Sequence, residues 1–494
     1  MKCKFLLLMC AAAMLSSCVD PKIDDEMNID GSVSSQVLAH KPKMVFSAEQ
    51  AISGEILVKF RESNIDAVEN AVSLTAVDGV IESGIESIDE FCKNVGAYKM
   101  ERLFPNAGRF EARQRKAGLH LWYKITFDES ISMSKVGEML SSIDELAVVE
   151  YNVPISLPKV ETVPVDNVKA WEPQLKLAAE HDELPFNDPR LEEQWHYQNR
   201  GTDWVKSDGT PYMDGAKAGA DINVVPAWSK CMGSKNVIVA VVDTPVDYDH
   251  EDLADNMWWN EAEKNGQEGV DDDNNGYVDD LFGYSFYYNK GGYLKDGSHG
   301  THVAGTVAAV NNNKIGVSGV AGGSGVGDGV RLMSCATFSE GSNASGKGSS
   351  CSGPAIVYAC NNGAVIAQCS WSFGEPNAVD KAYSTLQDAI DYFSDYAGMD
   401  ETGEVQVGPM KGGLLVFAAG NEGYMYNDGR IYPAAEDRVV AVAAMAADFR
   451  PSWFTAYGSW VDITAPGGDH LFIDSNDGSY GMILSTDMNN GYSY

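Results

Sequence analysis

The chain has 494 residues, a length that favours two or three domains. Hydrophobic residues make up 44% of it and charged residues 22%, which is typical of globular and not of disordered proteins. The 71 acidic residues outnumber the 36 Lys and Arg, so the formal net charge is −35. A surface this acidic repels phosphate backbones, which argues against a nucleic-acid partner.

Residues 1–18 have the pattern of a secretion signal. Lys2 and Lys4 flank the start of an apolar run from Phe5 to Leu15, which is shorter than the roughly 20 residues that span a bilayer. The Leu-Ser-Ser-Cys sequence that ends it resembles a bacterial lipobox. This resemblance implies cleavage before Cys18, diacylation of its thiol, and export to the outer membrane or cell surface on a lipid anchor. An ordinary signal peptide that contains a cysteine is the alternative.

The next segments predict a tether, a small domain and a linker. Residues 19–50 are polar and predict a flexible tether. Residues 51–157 predict a small α+β domain, and residues 158–187, which show little periodicity, predict a linker. Within the small domain, apolar patterns predict strands at 54–60, 119–127 and 146–153 and helices at 91–104 and 132–143.

Residues 188–494 have a different organisation. Short apolar runs alternate with stretches of helical pattern, at 237–243, 330–337, 365–370, 414–421 and 439–445. Continuous apolar strands that alternate with helices predict an α/β fold with a parallel, doubly wound sheet. Chemistry in such sheets lies at the carboxyl ends of the strands, where Asp243 and Asn421 fall.

Three motifs follow one another in this region. Asp243 lies in VVDTPVD, His299 begins a run of small residues in DGSHGTHVAGT, and Asn421 lies in the glycine-flanked AAGNEG. On these blocks, residues 188–494 resemble the subtilases, the subtilisin-like serine peptidases, whose triad follows the chain order Asp, His, Ser. The resemblance implies a serine endopeptidase that acts on polypeptides.

The family's roles transfer onto matching positions. The resemblance implies that His299 is the general base, that Asp243 orients it, and that Asn421 donates its amide to the oxyanion. We expect the dipole of the helix that His299 begins to disfavour the imidazolium and keep the ring neutral. By the same resemblance, an extended substrate would bind along Ser370, Trp371, Ala419 and Gly420.

The family's nucleophile block is the exception. No Gly-Thr-Ser-Met-Ala-like sequence occurs in the 494 residues, and Ser485 and Ser493 lack its context. We therefore expect the chain as given not to hydrolyse peptides by the family mechanism. Truncation just before the Ser block is the favoured explanation, because Asp243, His299 and Asn421 are retained. The alternative is a non-catalytic, peptide-binding surface lipoprotein on a subtilase scaffold.

Two loops are candidates for structural Ca²⁺. By resemblance to the family's strong site, the first would use carboxylates of Asp188 and Asp252, the amide oxygen of Asn313, and main-chain carbonyls of Val310, Ile315 and Val317. The second, weaker candidate has the D-x-D-x-N-G spacing at Asp271, Asp273 and Asn275, with Asp280 or Asp279 in place of the missing Glu. A solvated acidic loop is the alternative for this second site.

The small domain at 51–157 resembles the family's propeptide in length and position. The resemblance implies a partner within the same chain, which assists folding and then blocks the cleft with its C-terminal tail until cleavage within 158–187. A generic α+β adaptor is the alternative.

Overall fold

Two β-sheets from different parts of the chain organise the protein. The computed structural model describes residues 41–77, 80–157, 183–203, 209, 211, 213–292, 295–341, 346–373, 384–422, 430–469 and 481–494. The predicted signal segment with Cys18, and all but the last five residues of the predicted linker, lie outside these ranges. Among the described residues, no helix has both the length and the apolarity needed to cross a membrane.

The N-terminal sheet has seven strands in the order β1-β7-β2-β6-β5-β3-β4. Only the β1–β7 pair among its described pairings is parallel. The strands are β1 (Lys43–Val45), β2 (Glu55–Phe60), β3 (Ser73–Val77), β4 (Val80–Glu82), β5 (Lys99–Arg102), β6 (Trp122–Thr126) and β7 (Leu146–Glu150). The helices are α1 (Ile65–Glu69), α2 (Glu86–Val95), α3 (Glu111–Lys116) and α4 (Met133–Leu140).

Two predictions for this part of the chain, a helix over 91–104 and a tether over 19–50, differ from the structure. The helix predicted over 91–104 is wrong in its second half, because Gly96 adopts the left-handed conformation (φ 62°), ends α2, and leads into strand β5. The tether predicted over 19–50 does not extend to residue 50. Lys43–Val45 pairs with β7, and Val45 is fully buried, so the ordered domain begins before the predicted boundary.

The second sheet has seven strands, all parallel, in the order β14-β13-β12-β11-β8-β10-β9. The strands are β8 (Ile238–Asp243), β9 (Gly283–Ser285), β10 (Arg331–Ala336), β11 (Ile366–Cys369), β12 (Leu414–Ala418), β13 (Val440–Met445) and β14 (Ile463–Pro466). The helices are α5 (Val225–Trp228), α6 (Glu261–Lys264), α7 (Ser298–Ala308), α8 (Ser349–Asn361) and α9 (Ser384–Tyr396). An antiparallel hairpin, β15 (Ser485–Asp487) with β16 (Gly491–Ser493), packs on α7.

Helices cover both faces of this sheet, as the continuous apolar strands predict. Side chains alternate along a strand, so β8 contributes to two separate cores. Val239 and Val241 pack with α7, whereas Ala240 and Val242 belong to the core that contains α8 and α9. The predicted α/β fold with a parallel, doubly wound sheet is confirmed.

The N-terminal sheet packs against α8 and α9, and their shared core extends into it. Glu150, at the end of β7, is fully buried between the first turns of the two helices. It accepts hydrogen bonds from Ser349 Oγ (2.6 Å) on α8 and from Thr385 N (2.9 Å) on α9. A carboxylate there satisfies donors that a helix leaves unpaired at its N-terminus, and it complements both helix dipoles.

Candidate active site

The carboxyl end of β8 meets the start of α7, and this junction brings together the two best-supported sequence candidates. Asp243 is the last residue of β8 and is fully buried, while His299 is the second residue of α7. His299 Nδ1 lies 2.7 Å from Asp243 Oδ1, which also accepts the Thr244 amide at 2.7 Å. This contact holds the ring with its other nitrogen, Nε2, directed away from Asp243.

Glycine lets the helix start so close to the strand. Gly300 N donates to Thr244 Oγ1 at 2.8 Å, and a Cβ at Gly300 would lie 2.3 Å from the Thr244 carbonyl oxygen. Any larger residue would push α7 away from the strand end. The small residues of HGTH therefore set the distance between the imidazole and the carboxylate.

The electrostatics of His299 differ from the expectation of a ring kept neutral by the helix dipole. Burial lowers the pKa of the ring, but the charge of Asp243 and its hydrogen bond outweigh burial, so the pKa stands above its ordinary value. The raised pKa differs from the predicted direction, and the carboxylate of Asp243 at 2.7 Å is its cause.

Asn421 and His299 share one cavity of about 390 Å³. The cavity is lined by His299, Ser370 and Asn421, so three predicted site residues face the same space. Gln368 also lines it and donates its amide to Ser370 Oγ at 2.6 Å. Sequence reasoning missed Gln368, because a polar residue inside an apolar run shows no sign of which face it takes.

Two predicted substrate-binding side chains do not face the cavity. Trp371 is 1% exposed, donates its indole N–H to the Val242 carbonyl at 2.9 Å, and packs edge-on against Phe417. Ala419 is also buried, in a small apolar cluster next to Gly420, and Ala418 lines the cavity instead. Their side chains pack into the core, so the predicted pairing of a substrate along these segments concerns their main chain and stays a prediction.

The tail of the N-terminal domain pairs with the strand that carries Ser370. Ser156 and Ser372 form an antiparallel bridge, with N–O distances of 2.8 and 3.1 Å. On its other side the tail passes Gly346, where a Cβ would lie 2.6 Å from Ile155 Cγ1. The edge expected to receive an extended peptide is therefore covered by this chain's own segment.

The residues predicted for the first calcium site also come together. Asp188 Oδ1 accepts the Asn313 amide (3.0 Å), and Asp252 Oδ1 accepts Asn313 Nδ2 (2.7 Å). Burial raises the pKa of Asp188, and it raises that of Asp252 to about 8. In the described part of the chain, no Lys, Arg or His forms an ion pair with either carboxylate.

The 310–317 loop wraps around these carboxylates. Val310 N donates to the Asp252 carbonyl, Val317 N donates to Asp252 Oδ2, and Ile315 N donates to Asn313 Oδ1. Ser318 Oγ donates to Asp188 Oδ2 at 2.6 Å, and sequence reasoning missed this contact because it lies just past the motif.

The second acidic loop is arranged differently from its prediction. Asp271 and Asp273 have ligand oxygens within 4.8 Å of one another and of Glu263, a residue of α6 that the spacing argument did not include. Asp280 is not part of that trio but neighbours Asp273, because Asn260 Nδ2 and Asn275 Nδ2 each donate to both carboxylates. It is fully buried, accepts Tyr358 Oη (2.6 Å) and Asn275 Nδ2 (3.0 Å), and burial raises its pKa to about 7.

A strand-end carboxylate, an imidazole at a helix start and an amide on the same cavity lie in the arrangement that the sequence predicts for a serine peptidase. Comparison with known proteins agrees: the model of the Subtilase family matches residues 234–494, and that of the N-terminal of Subtilase family matches residues 56–201. The first match covers more than half of the chain. The chain therefore belongs to the subtilase family, whose members are serine peptidases.

Individual relatives match in part. Subtilisin-like protease 1 of Plasmodium falciparum (isolate 3D7) is 50% identical over 82 residues, which are 17% of this chain and 12% of that protein. The thermophilic serine proteinase of Bacillus sp. (strain AK1) is 31% identical over 268 residues, or 54% of this chain and 50% of that protein. The chain thus spans half or less of the length of these relatives.

Among solved structures, fervidolysin from Fervidobacterium pennivorans, a keratinolytic enzyme related to subtilisin, covers 91% of this chain and 50% of its own. The TM-score is 0.51 at 18% identity. At that identity the likeness concerns the fold alone.

Proposed function

We propose that this protein is an exported serine endopeptidase that hydrolyses polypeptides with an Asp-His-Ser triad. Asp243 and His299 supply two members, and the third is a Ser whose family-like block does not occur in these 494 residues. The observation that carries the proposal is the 2.7 Å Asp243–His299 contact beside a cavity that Asn421 also lines. Each of Asp243, His299 and Asn421 alone has an ordinary structural explanation, but the three together match the chemistry of acyl transfer.

Each group has a defined task in this reaction. His299 Nε2 takes the proton of the Ser hydroxyl as its oxygen attacks the peptide carbonyl, and it later gives that proton to the leaving amine. Asp243 holds the Nδ1–H tautomer and stabilises the imidazolium. The Asn421 side chain donates to the oxyanion, and such a donor contributes roughly 3–4 kcal/mol to transition-state stabilisation.

The nucleophilic Ser of the proposed triad is not among the described contacts of His299. Within the described ranges, no hydroxyl or thiol hydrogen-bonds to His299 Nε2. Ser485 Oγ donates instead to the His302 carbonyl at 2.7 Å. The alternative, a non-catalytic peptide-binding lipoprotein, needs no such residue, so the nucleophile discriminates between the two.

The test begins with the coding sequence that follows codon 494. The whole gene product is then treated with a fluorophosphonate probe, which labels activated serines, and assayed on a protein substrate. A Gly-Thr-Ser-Met-like block, labelling of its Ser, and loss of labelling in His299→Ala support the enzyme. A stop codon, or a block without Ser, combined with peptide binding but no turnover, would establish the binder.

We also propose that the N-terminal domain is a propeptide that blocks the substrate strand until cleavage within 158–187. The Ser156–Ser372 pairing supports this, because a strand edge occupied by the chain's own tail is closed to substrate. N-terminal sequencing of the mature protein tests it. A first residue between 159 and 188 is expected, whereas a mature protein that retains residues 51–157 would contradict the proposal.

A structural Ca²⁺ at the first loop fits the residues present. Asp188 and Asp252 are buried carboxylates whose described partners are neutral donors, and burial of that kind disfavours their charged forms. Asp188, Asp252 and Asn313 would hold the ion with main-chain carbonyls of the 310–317 loop. A bound ion would link that loop to the segment at Asp188, and Glu263, Asp271 and Asp273 are proposed as the second, weaker site.

Export on a lipid anchor at Cys18 is the last part of the proposal. Only the Leu-Ser-Ser-Cys pattern behind the apolar run supports it. Metabolic labelling with a fatty-acid analogue, with Cys18→Ser as the control, tests it. Unchanged membrane association of the unlabelled Ser variant would overturn it.

A further inference from the structure

The most deeply buried cation of the N-terminal domain lies outside the peptidase site. Arg113, on α3, is only 1% exposed, yet its guanidinium leaves its own domain and enters the C-terminal ends of α8 and α9. Its partners come from five residues that follow or end these helices: Cys360, Asn361, Tyr392, Met399 and Asp400.

The contacts match the five N–H donors of a guanidinium one by one. Nε donates to Tyr392 Oη at 2.7 Å, and the Tyr392 hydroxyl itself donates to Asn361 Oδ1 at 2.8 Å. Nη1 donates to the carbonyls of Met399 (3.1 Å) and Asp400 (2.8 Å). Nη2 donates to Asn361 Oδ1 (2.8 Å) and approaches Cys360 Sγ at 3.9 Å.

The positive charge is stabilised without an opposite formal charge. None of the described carboxylates forms an ion pair with Arg113. Neutral carbonyl and amide oxygens at the ends of α8 and α9 supply the negative potential, since helix C-termini attract cations. Aromatic faces add to it, with Phe110, Tyr392 and Tyr396 centred 4.4, 5.2 and 5.6 Å from the guanidinium carbon.

A second cation at the same interface shows what an ammonium requires. Lys59 Nζ contacts Asp388 on α9 at 2.5 Å, and that carboxylate also accepts the Trp122 indole N–H. The compact ammonium of Lys59 thus pairs with one carboxylate at a partly exposed position. Around Arg113, the acceptors lie on several sides of a planar group, an arrangement that three ammonium hydrogens cannot fill.

We propose that the C-terminal ends of α8 and α9 form a guanidinium socket, made by Asn361, Tyr392, Tyr396, Met399 and Asp400, and that recognition of Arg113 by this socket docks the N-terminal domain. Glu150 holds the N-termini of the same two helices, so the domain carries a carboxylate for one end of the pair and a guanidinium for the other. The inference rests on interdomain contacts and not on turnover. An inactive peptidase therefore leaves it intact.

The test is hydrogen exchange of the full chain, followed by mass spectrometry of peptides from α3, α9 and β8. Arg113→Lys keeps the charge and Arg113→Ala removes the side chain. The matched control is Arg109→Ala, an exposed arginine whose guanidinium also lies over Phe110. We expect both Arg113 variants to speed exchange of α3 and the end of α9 by about tenfold or more, because buried acceptors lose their donors.

Chemical rescue tests the identity of the ligand. Ethylguanidinium, at concentrations far below denaturing ones, should restore slow exchange in Arg113→Ala, whereas ethylammonium should not. Wild-type exchange in Arg113→Lys, or equal rescue by the two cations, would overturn guanidinium recognition. An equal effect of Arg109→Ala would overturn the role of the socket. If β8 also exchanges faster in Arg113→Ala, that variant destabilises the whole protein. The exchange of Arg113→Lys then decides whether the socket requires a guanidinium.

Discussion

Buried carboxylates occur at two places in the protein, and the two places differ in the charge of the groups that contact the carboxylates. Asp243 is fully buried beside His299, an internal partner that becomes cationic when protonated. Asp188 and Asp252 are also buried, but their described partners are backbone amides, Asn313 and Ser318, all neutral. Since an isolated buried charge is costly, the first site contains its counter-charge, and the Ca²⁺ that we propose would supply one at the second.

The two kinds of partner suit a proposed catalytic site and a proposed structural site, respectively. In the proposed reaction, the partner at the first site moves a proton, so a titratable ring is needed. The ion proposed for the second site would only link two chain segments, and a hard cation with many oxygen ligands does this without a titratable group. The following experiments test that division, from the largest expected effect to the smallest.

The largest effect is expected at the internal pair. In the whole gene product, Asp243→Asn should lower kcat/KM for a peptide substrate by about 10⁴-fold, and His299→Ala should lower it at least as much, because the nucleophile loses its oriented base. Steady-state kinetics measures both. Asp249→Asn, an exposed carboxylate paired with Lys295, should retain near-normal turnover. Near-normal rates for the first two variants would remove the basis of the assignment.

The next effect concerns the loop that lacks an internal cation. A chelator should lower the melting temperature by about 5 °C or more, because a ligand that binds only the folded state adds to stability by mass action. Calorimetry with and without added Ca²⁺ measures it. Asp252→Asn should abolish the chelator response, and the exposed Asp255→Asn should leave it unchanged. A melting curve that ignores the chelator contradicts the proposed ion.

Titration of the imidazoles sharpens the comparison further. The pKa of His299 stands above its ordinary value, so its attraction to Asp243 is fully present below about pH 6.5 and is lost as pH rises through the raised pKa. NMR of the ring protons should show this. Asp243→Asn should lower the titration midpoint of His299, while His250, whose pKa burial lowers, should not move. An unchanged titration midpoint of His299 in Asp243→Asn would contradict the electrostatic coupling between the two residues.

The smallest effect is expected at the second acidic loop. Glu263→Gln should reduce the chelator-induced shift by only about 2 °C, because Asp271 and Asp273 remain. Calorimetry at graded Ca²⁺ concentrations would separate this shift from the first. Asp280→Asn is the matched comparison, because Asp280 belongs to the sequence-based ligand set but not to the trio, and it hydrogen-bonds Tyr358. A larger chelator effect from Asp280→Asn than from Glu263→Gln would restore the sequence-based ligand set.

Local patterns predicted the second sheet well and the first less well. The apolar runs at 237–243 and 439–445 became strands within a residue or so, because a strand buried on both faces must be apolar throughout. The helical pattern at 91–104 failed because periodicity does not show where a glycine ends the helix. The orientation of the Trp371 ring could not be predicted from the sequence, because only its packing against Phe417 decides it.

The sequence by itself determined the family, the parallel sheet, and the Asp243–His299 pair, because these depend on residue types at fixed spacing along strands and turns. Only the tertiary structure decided which groups from distant segments meet: the Ser156 tail on Ser372, and Arg113 at the ends of α8 and α9. These contacts join residues far apart in the chain. Their geometry follows from how the two sheets and their helices pack, and no local pattern encodes it.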